Sequence, residues 1–291
     1  MASGFPSLGR DVVNRAVATQ AGTGQTDSVA PPPSGLAQTN PSPVIDVEHV
    51  SLSYKMDKAD FPVLVDVSVT AYRNEFLMIT GPSGCGKSTL LRIIAGLTKP
   101  TGGEVKFLGT PITEPRTDIA MIFQNFVLLP WKTSIDNVMF GLSSRQDLSE
   151  DRKKEIAENA LEQVGLEGFE HVYPGELSGG MKQRVGIARA LALEPKVLLM
   201  DEPFSSLDDL TAERLRKEIY SLLINPESPI QTVIMISHNV EEIVELADRA
   251  VVLSARPGRV VADLPIDLPR PRSRKAEEFQ DWVDKLYSFL A

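Results

Sequence analysis

Hydrophobic and polar positions change rhythm several times along the chain. In Val44-Ile45-Asp46-Val47-Glu48-His49-Val50 they alternate, the period of a strand with one wet face. Phe76-Leu77-Met78-Ile79-Thr80 is nearly all apolar and stops at a glycine, as a strand buried on both faces should. Similar runs recur at Ile119 to Phe123, Val197 to Met200, Thr232 to Ile236 and Ala250 to Leu253, with helix-length segments between them. Short apolar strands alternating with helices predict an α/β core around a largely parallel sheet.

Between Phe126 and Ala192 helical spacing takes over. Ile156, Ala160, Leu161 and Val164 share one face of a helix that Ser149 can cap, while Arg152, Lys153, Lys154 and Glu158 fall mainly on the wet side. This segment reads as a helical insertion in the α/β domain. Near the end, Phe279, Trp282, Val283, Leu286 and Leu290 recur at helical spacing and predict a docked helix. Glu278, Asp281 and Asp284 on its polar side count against a membrane-surface helix. The preceding basic stretch, with Arg270, Arg272, Arg274 and Lys275, reads as a solvated linker, with binding of an anionic regulator as the alternative.

Residues 1–43 have a different texture, rich in Ala, Gly, Ser, Thr, Gln and Pro, with only Arg10, Asp11, Arg15 and Asp27 as charges. Such a segment cannot bury enough apolar surface to offset its ordering entropy, so a disordered tail is predicted. Two arginines are few for a transit peptide, and no apolar core of a secretory signal follows a basic start.

Composition narrows the class. Hydrophobic residues make up 42% and charged residues 24% of the 291, which excludes a fibrous or wholly disordered chain. The formal net charge of −9 repels a phosphate backbone and counts against general nucleic-acid binding. A lone cysteine, Cys85, excludes an intramolecular disulfide and a thiolate-rich zinc site. No apolar run approaches the ~18 residues needed to span a bilayer.

Gly81-Pro82-Ser83-Gly84-Cys85-Gly86-Lys87-Ser88-Thr89 matches G-x-x-x-x-G-K-[ST] between a predicted strand and the helical Leu90 to Leu97. Glycines let backbone amides curl around phosphates, and the start of the following helix adds its positive field. Lys87 supplies a mobile charge to the same phosphates, and the Ser88 hydroxyl can ligate Mg²⁺. Cys85 either merely tolerates a loop position or, in these electropositive surroundings, is a reactive, nucleotide-protected thiol. In Val197-Leu198-Leu199-Met200-Asp201-Glu202 a buried strand ends in two acids. Asp201 would hold Mg²⁺ through its shell and Glu202 would polarise the attacking water. No Asn-Lys-x-Asp guanine-reading sequence occurs, and Tyr54 can stack on a purine. His49 and His171 lack a motif or an acid at a telling spacing and read as structural or surface residues.

With Leu177-Ser178-Gly179-Gly180-Met181-Lys182-Gln183-Arg184 in this order, residues 44–264 resemble the ABC-type ATPases. Ser178 caps a helix whose Gly179-Gly180 start lets amides approach an anion. The resemblance implies a P-loop cassette with a mostly parallel core sheet, an antiparallel β subdomain and a helical insertion at about 126–192; residues 265–291 follow as a linker and helix. It implies a head-to-tail dimer, expected to be of identical chains, around two MgATP. It further implies that Tyr54 stacks on adenine, and that Gln124 senses Mg²⁺ and the attacking water. Asp208, in Ser205-Ser206-Leu207-Asp208, would belong to a dimer-contact loop, and His238 would contact the γ-phosphate. Met181 stands where glutamine is common, and Ser206 where alanine is more usual.

One cassette without long heptad helices disfavours a soluble motor acting on nucleic acid or ribosomes, which stays the alternative beside a transporter for another solute. Leu128, Leu129 and Trp131, on a loop just after Gln124, offer a docking surface for a transmembrane permease, against the alternative that they pack the insertion. That run, with Leu264-Pro265-Ile266-Asp267-Leu268-Pro269-Arg270-Pro271-Arg272, is similar to the importers of nitrate, sulfonate, taurine and bicarbonate. The expected protein is a peripheral ATPase on the cytoplasmic face of the inner membrane, served indirectly by a solute-binding protein.

Overall fold

The computed structural model describes residues 43–56, 59–205, 207, 209–225 and 228–290. Apart from Pro43, the predicted tail lies outside the described residues, as do Ser206 and Asp208. Among the described residues no helix is long and apolar enough to cross a membrane.

Two sheets organise the chain. An antiparallel one runs in the order β2-β1-β4-β5, from β1 (Pro43–Met56), β2 (Ala59–Tyr72), β4 (Gly102–Phe107) and β5 (Thr110–Pro111). The larger runs β10-β9-β3-β8-β7-β6, from β3 (Glu75–Thr80), β6 (Ile119–Ile122), β7 (Val197–Asp201), β8 (Thr232–Ile236), β9 (Arg249–Leu253) and β10 (Val260–Pro265). All its pairings are parallel except the β9–β10 edge. The central strands are buried throughout because each face meets a separate core. Phe76, Met78, Leu198, Met200, Val233 and Met235 point to one, and Leu77, Ile79, Val197, Leu199, Ile234 and Ile236 to the other.

The second core is closed by α1 (Lys87–Ile94) and the antiparallel sheet. The first takes α2 (Ser134–Gly141), α3 (Glu150–Gln163), α4 (Gly179–Leu191), α5 (Asp209–Ile224), α6 (Val240–Leu246) and α7 (Glu277–Leu290). Hydroxyl caps set where the inserted helices begin: Thr133 accepts from the Asp136 amide, Ser149 from Arg152 and Ser178 from Met181. Arg249 ties the sheets together, donating to Glu75 Oε1 at 2.7 Å, to Asp263 and to the Thr70 carbonyl.

The basic stretch before α7 is not a solvated linker. Arg272 donates to the Val244 and Ala247 carbonyls at 2.6 Å, and Arg270 to the Leu246 carbonyl, so the two guanidiniums satisfy open carbonyls at the end of α6. Burial pulls Arg272 down to about 10. Arg270 also pairs with Asp248, and Arg274 with Glu241 and Glu245, so these three cations are engaged within the protein. Phe279, Val283 and Leu286 then bury α7 against the same core.

Candidate functional site

Four parallel strands end on one edge of the large sheet. Beyond β3 comes the glycine loop, beyond β6 Gln124, at and beyond β7 Asp201 and Glu202, and beyond β8 His238. A crevice at strand carboxyl ends is where open α/β sheets bind ligands. The sequence places these residues far apart, and the strand order brings them together.

The loop's backbone requires glycine at two points. Gly81 has φ +147°, and a Cβ there would sit 2.6 Å from the Leu253 carbonyl oxygen; Gly86 has φ +106°, and a Cβ would meet Leu64 at 2.7 Å. Lys87, at the start of α1 and 8% exposed, donates from Nζ to the carbonyls of Gly81 at 2.7 Å and Pro82 at 3.1 Å. The ammonium therefore stands over the cradle, with donors available to an anion that displaces those carbonyls.

Of the two readings of Cys85, the reactive one fails. Its side chain is fully buried, and Sγ lies 3.2 Å from where a Gly81 Cβ would stand. A thiol with no accessible surface is closed to alkylation, so Cys85 is a packing residue of the loop.

Ser88 Oγ donates to Asp201 Oδ1 at 2.9 Å. Asp201 is 4% exposed, and burial raises its pKa; the Ser88 hydrogen bond draws it back down and the charge of Glu202 pushes it up. A buried carboxylate held against its ionised form, beside a hydroxyl oxygen, suits a hard divalent cation. Glu202 has φ +48°, a left-handed conformation that costs about 1–3 kcal/mol in a non-glycine residue. Its Oε2 accepts from Gln124 Nε2 at 3.1 Å and lies 3.4 Å from His238 Nδ1. Ser237, Glu242 and Arg216 fix the base of the His238 turn: Glu242 accepts from Ser237 Oγ and from Arg216 at 3.2 Å, all three buried.

Tyr54, Ser83, Gly84, Gly86, Lys87, Ser88, Thr89 and Glu202 line one cavity of about 270 Å³, together with Val63 and Arg256. Those last two carry no motif and escaped the sequence reading. Ser178, Gly179 and Gly180 are absent from this lining; Ser178 and Gly179 are exposed at the start of α4. A Cβ on Gly179 would meet nothing within 4 Å.

The loop after Gln124 is held from two sides. Asn137, fully buried on α2, accepts from the Leu129 amide at 2.7 Å and donates to the carbonyls of Leu129, Lys132 and Thr133. Arg189, on α4, donates to the carbonyls of Phe126 and Val127. Leu128 packs on the core, whereas Trp131 is 72% exposed. Neither Asn137 nor Arg189 was legible beforehand. His49 is a surface residue, as expected, and the fold gives it an acid 17 residues away: its Nδ1 lies 2.8 Å from Asp66 Oδ1, beside the register shifts of the β1–β2 ladder.

A family model described as ABC transporter matches residues 64–205. The chain is 39% identical over 246 residues to the nitrate import ATP-binding protein NrtD of Synechococcus elongatus, covering 84% of this chain and 88% of that one. It is 41% identical over 238 residues to the bicarbonate transport ATP-binding protein CmpD of Synechocystis, covering 80% and 83%. Its fold matches the dimeric post-hydrolysis state of the ATP-binding cassette MJ0796 bound to ADP and Pi, with a TM-score of 0.68, 32% identity, and coverage of 76% of this chain and 98% of that one.

Proposed function

Because the chain belongs to the ABC transporter family and is an ATPase of it, we propose that it energises a membrane importer for a small inorganic anion of the nitrate or bicarbonate type. The observation that carries its chemistry is the meeting of Gln124, Glu202 and His238 beside Lys87, Ser88 and Asp201 at the strand ends. Names of relatives sharing about two fifths of its residues support the solute class.

In this reading Lys87 and the amides of Gly84 to Thr89 take the β- and γ-phosphates. Ser88, Asp201 and Gln124 would hold magnesium, which would neutralise phosphate charge when bound. Glu202 Oε2, already an acceptor, orients and polarises a water, while His238 and Gln124 keep that carboxylate and the γ-phosphate in register. Tyr54 stacks on the base.

The start of α4 lies outside its own chain's cavity lining, so Ser178, Gly179 and Gly180 serve the nucleotide of a second copy, closing two ATP molecules between subunits. Asp208 is proposed for the same interface. Trp131, with Leu129 beside it, docks a transmembrane permease while Leu128 anchors the loop on the core instead, and this docking fixes the ATPase peripherally to the inner membrane's cytoplasmic face. A solute-binding protein reaches it only through that permease. The division into a tail at 1–43, a cassette at 44–264 and a C-terminal segment at 265–291 completes the reading.

The test is co-purification from detergent with the associated membrane subunits, followed by reconstitution in vesicles. ATP-dependent uptake of nitrate or bicarbonate is expected. ATP hydrolysis with ribosomes or nucleic acid in place of a permease would overturn the transport reading.

A further inference from the structure

Arg256 projects from the turn between β9 and β10, far in sequence from the other cavity residues. That turn is fastened to the cradle's roof. The Gly258 amide donates to the Val63 carbonyl at 2.8 Å, and the Val65 amide to the Gly258 carbonyl at 3.0 Å. A Cβ on Gly258 would stand 2.2 Å from the Cys85 carbonyl oxygen, so the turn's backbone rests directly on the glycine loop.

Its side chain has a defined seat. The Arg256 guanidinium lies 4.0 Å from the centroid of the Phe61 ring. Phe61 is the direct cross-strand partner of Tyr54 in the β1–β2 ladder, so both rings leave the same face of the ribbon. They are 40% and 49% exposed, respectively. Tyr54 and Arg256 line the cavity whereas Phe61 does not, which puts the phenyl ring behind the guanidinium. Lys87, Ser88 and Glu202 mark the cavity's phosphate end; the aromatic ribbon marks the other.

We infer that Arg256 is a nucleotide-contacting residue at the base and ribose end of the cavity, and that Phe61 is the positioning residue that holds it there. A guanidinium stacked on one face keeps its in-plane N–H donors free, and purine ring nitrogens and ribose hydroxyls are acceptors to match. Lysine offers a point charge without the plane. The inference rests on the cavity being the ATP site proposed above.

Calorimetric titration of the full chain with ATP and, separately, with ADP tests it. Both nucleotides carry the same base and ribose, so Arg256→Ala should weaken both by the same factor, about fivefold, the scale of a part-exposed cation contact. Arg256→Lys should recover little of the loss. Phe61→Leu should weaken binding in the same sense, and the double variant should be no worse than Arg256→Ala alone, because Phe61 acts through the guanidinium. Thermal melts of each variant separate loss of fold from loss of contact, and Arg256→Lys and Phe61→Leu keep the test open if the alanine variant unfolds. Unchanged affinities in a folded Arg256→Ala protein would overturn the inference. So would a loss confined to ATP, which would move the contact to the γ-phosphate. If the unsubstituted chain takes up neither nucleotide, the reading of the cavity itself falls.

Discussion

Arg189 donates to the Phe126 carbonyl at 2.7 Å across 63 residues of sequence, and to the Val127 carbonyl at 2.8 Å. Phe126 and Val127 hold φ of +54° and +43°, left-handed values that cost about 1–3 kcal/mol per non-glycine residue. A guanidinium on two carbonyls offsets that strain and fixes the segment between Gln124, which touches Glu202, and Trp131, which stands in solvent. The clamp belongs to α4, the helix whose first residues are proposed to reach the partner's nucleotide. One rigid element thus joins the surface proposed to face the partner and the loop proposed to face the permease.

Replacing Arg189 by methionine should release that loop. Two charged hydrogen bonds are lost, each worth about 1.5–3 kcal/mol. Part of that returns as relaxed strain, so a net loss of about 2 kcal/mol is expected, read by urea unfolding. ATP affinity should stay near normal while stimulation of hydrolysis by the permease falls tenfold or more. Retained stimulation would remove the clamp from the coupling route.

Glu202→Gln keeps the side chain's shape and one acceptor oxygen but loses the negative charge. ATP binding should persist, turnover should fall by about 10²–10⁴-fold, and dimers closed on ATP should accumulate. Phosphate release and light scattering in MgATP read both effects, and undiminished release would refute the assigned role.

Lys87→Ala removes the ammonium that now bonds the Gly81 and Pro82 carbonyls. ATP affinity should drop at least tenfold, about the 1.5–3 kcal/mol of a charge-assisted hydrogen bond. Titration calorimetry decides, and unchanged affinity would count against the cradle.

Asp201 carries a pH signature. Its folded pKa is raised, first by burial, so between the ordinary carboxylate value and that raised value the folded state holds more protons than the unfolded one. Stability contributed by this group is therefore lost as pH rises through that window and regained on acidification. Asp201→Asn should flatten the metal-free stability curve there and leave the protein at least as stable at pH 7. It should also abolish the stabilisation that Mg²⁺ and ATP together give the unsubstituted chain. Melting curves across pH 4 to about pH 8 check both.

Trp131→Ala should barely change stability, within about 0.5 kcal/mol, because the side chain is 72% exposed. Basal hydrolysis should be retained and reconstituted uptake lost. A joint loss of hydrolysis and stability would show that Trp131 packs the insertion instead.

The amino-acid sequence by itself determined whatever depends on neighbours in the chain. The cradle is nine consecutive residues between a strand and a helix, and its glycines, lysine and hydroxyl act through a backbone path only local residues can shape. Apolar runs at β3, β7 and β8 announced strands buried on both faces, and Ser149 and Ser178 announced helix starts, because a cap bonds an amide three residues on. Tertiary structure alone decided the rest. Gln124 and His238 meet one oxygen of Glu202 because β6, β7 and β8 end together. Arg189, Asn137 and Arg272 act through hydrogen bonds to backbone carbonyls and Arg256 through one ring, contacts that leave no period to read. The choice between a reactive and a merely tolerated Cys85 was closed to the sequence for the same reason: a motif fixes which atoms follow one another, but exposure is set by what packs above them, and only the folded chain supplies that cover.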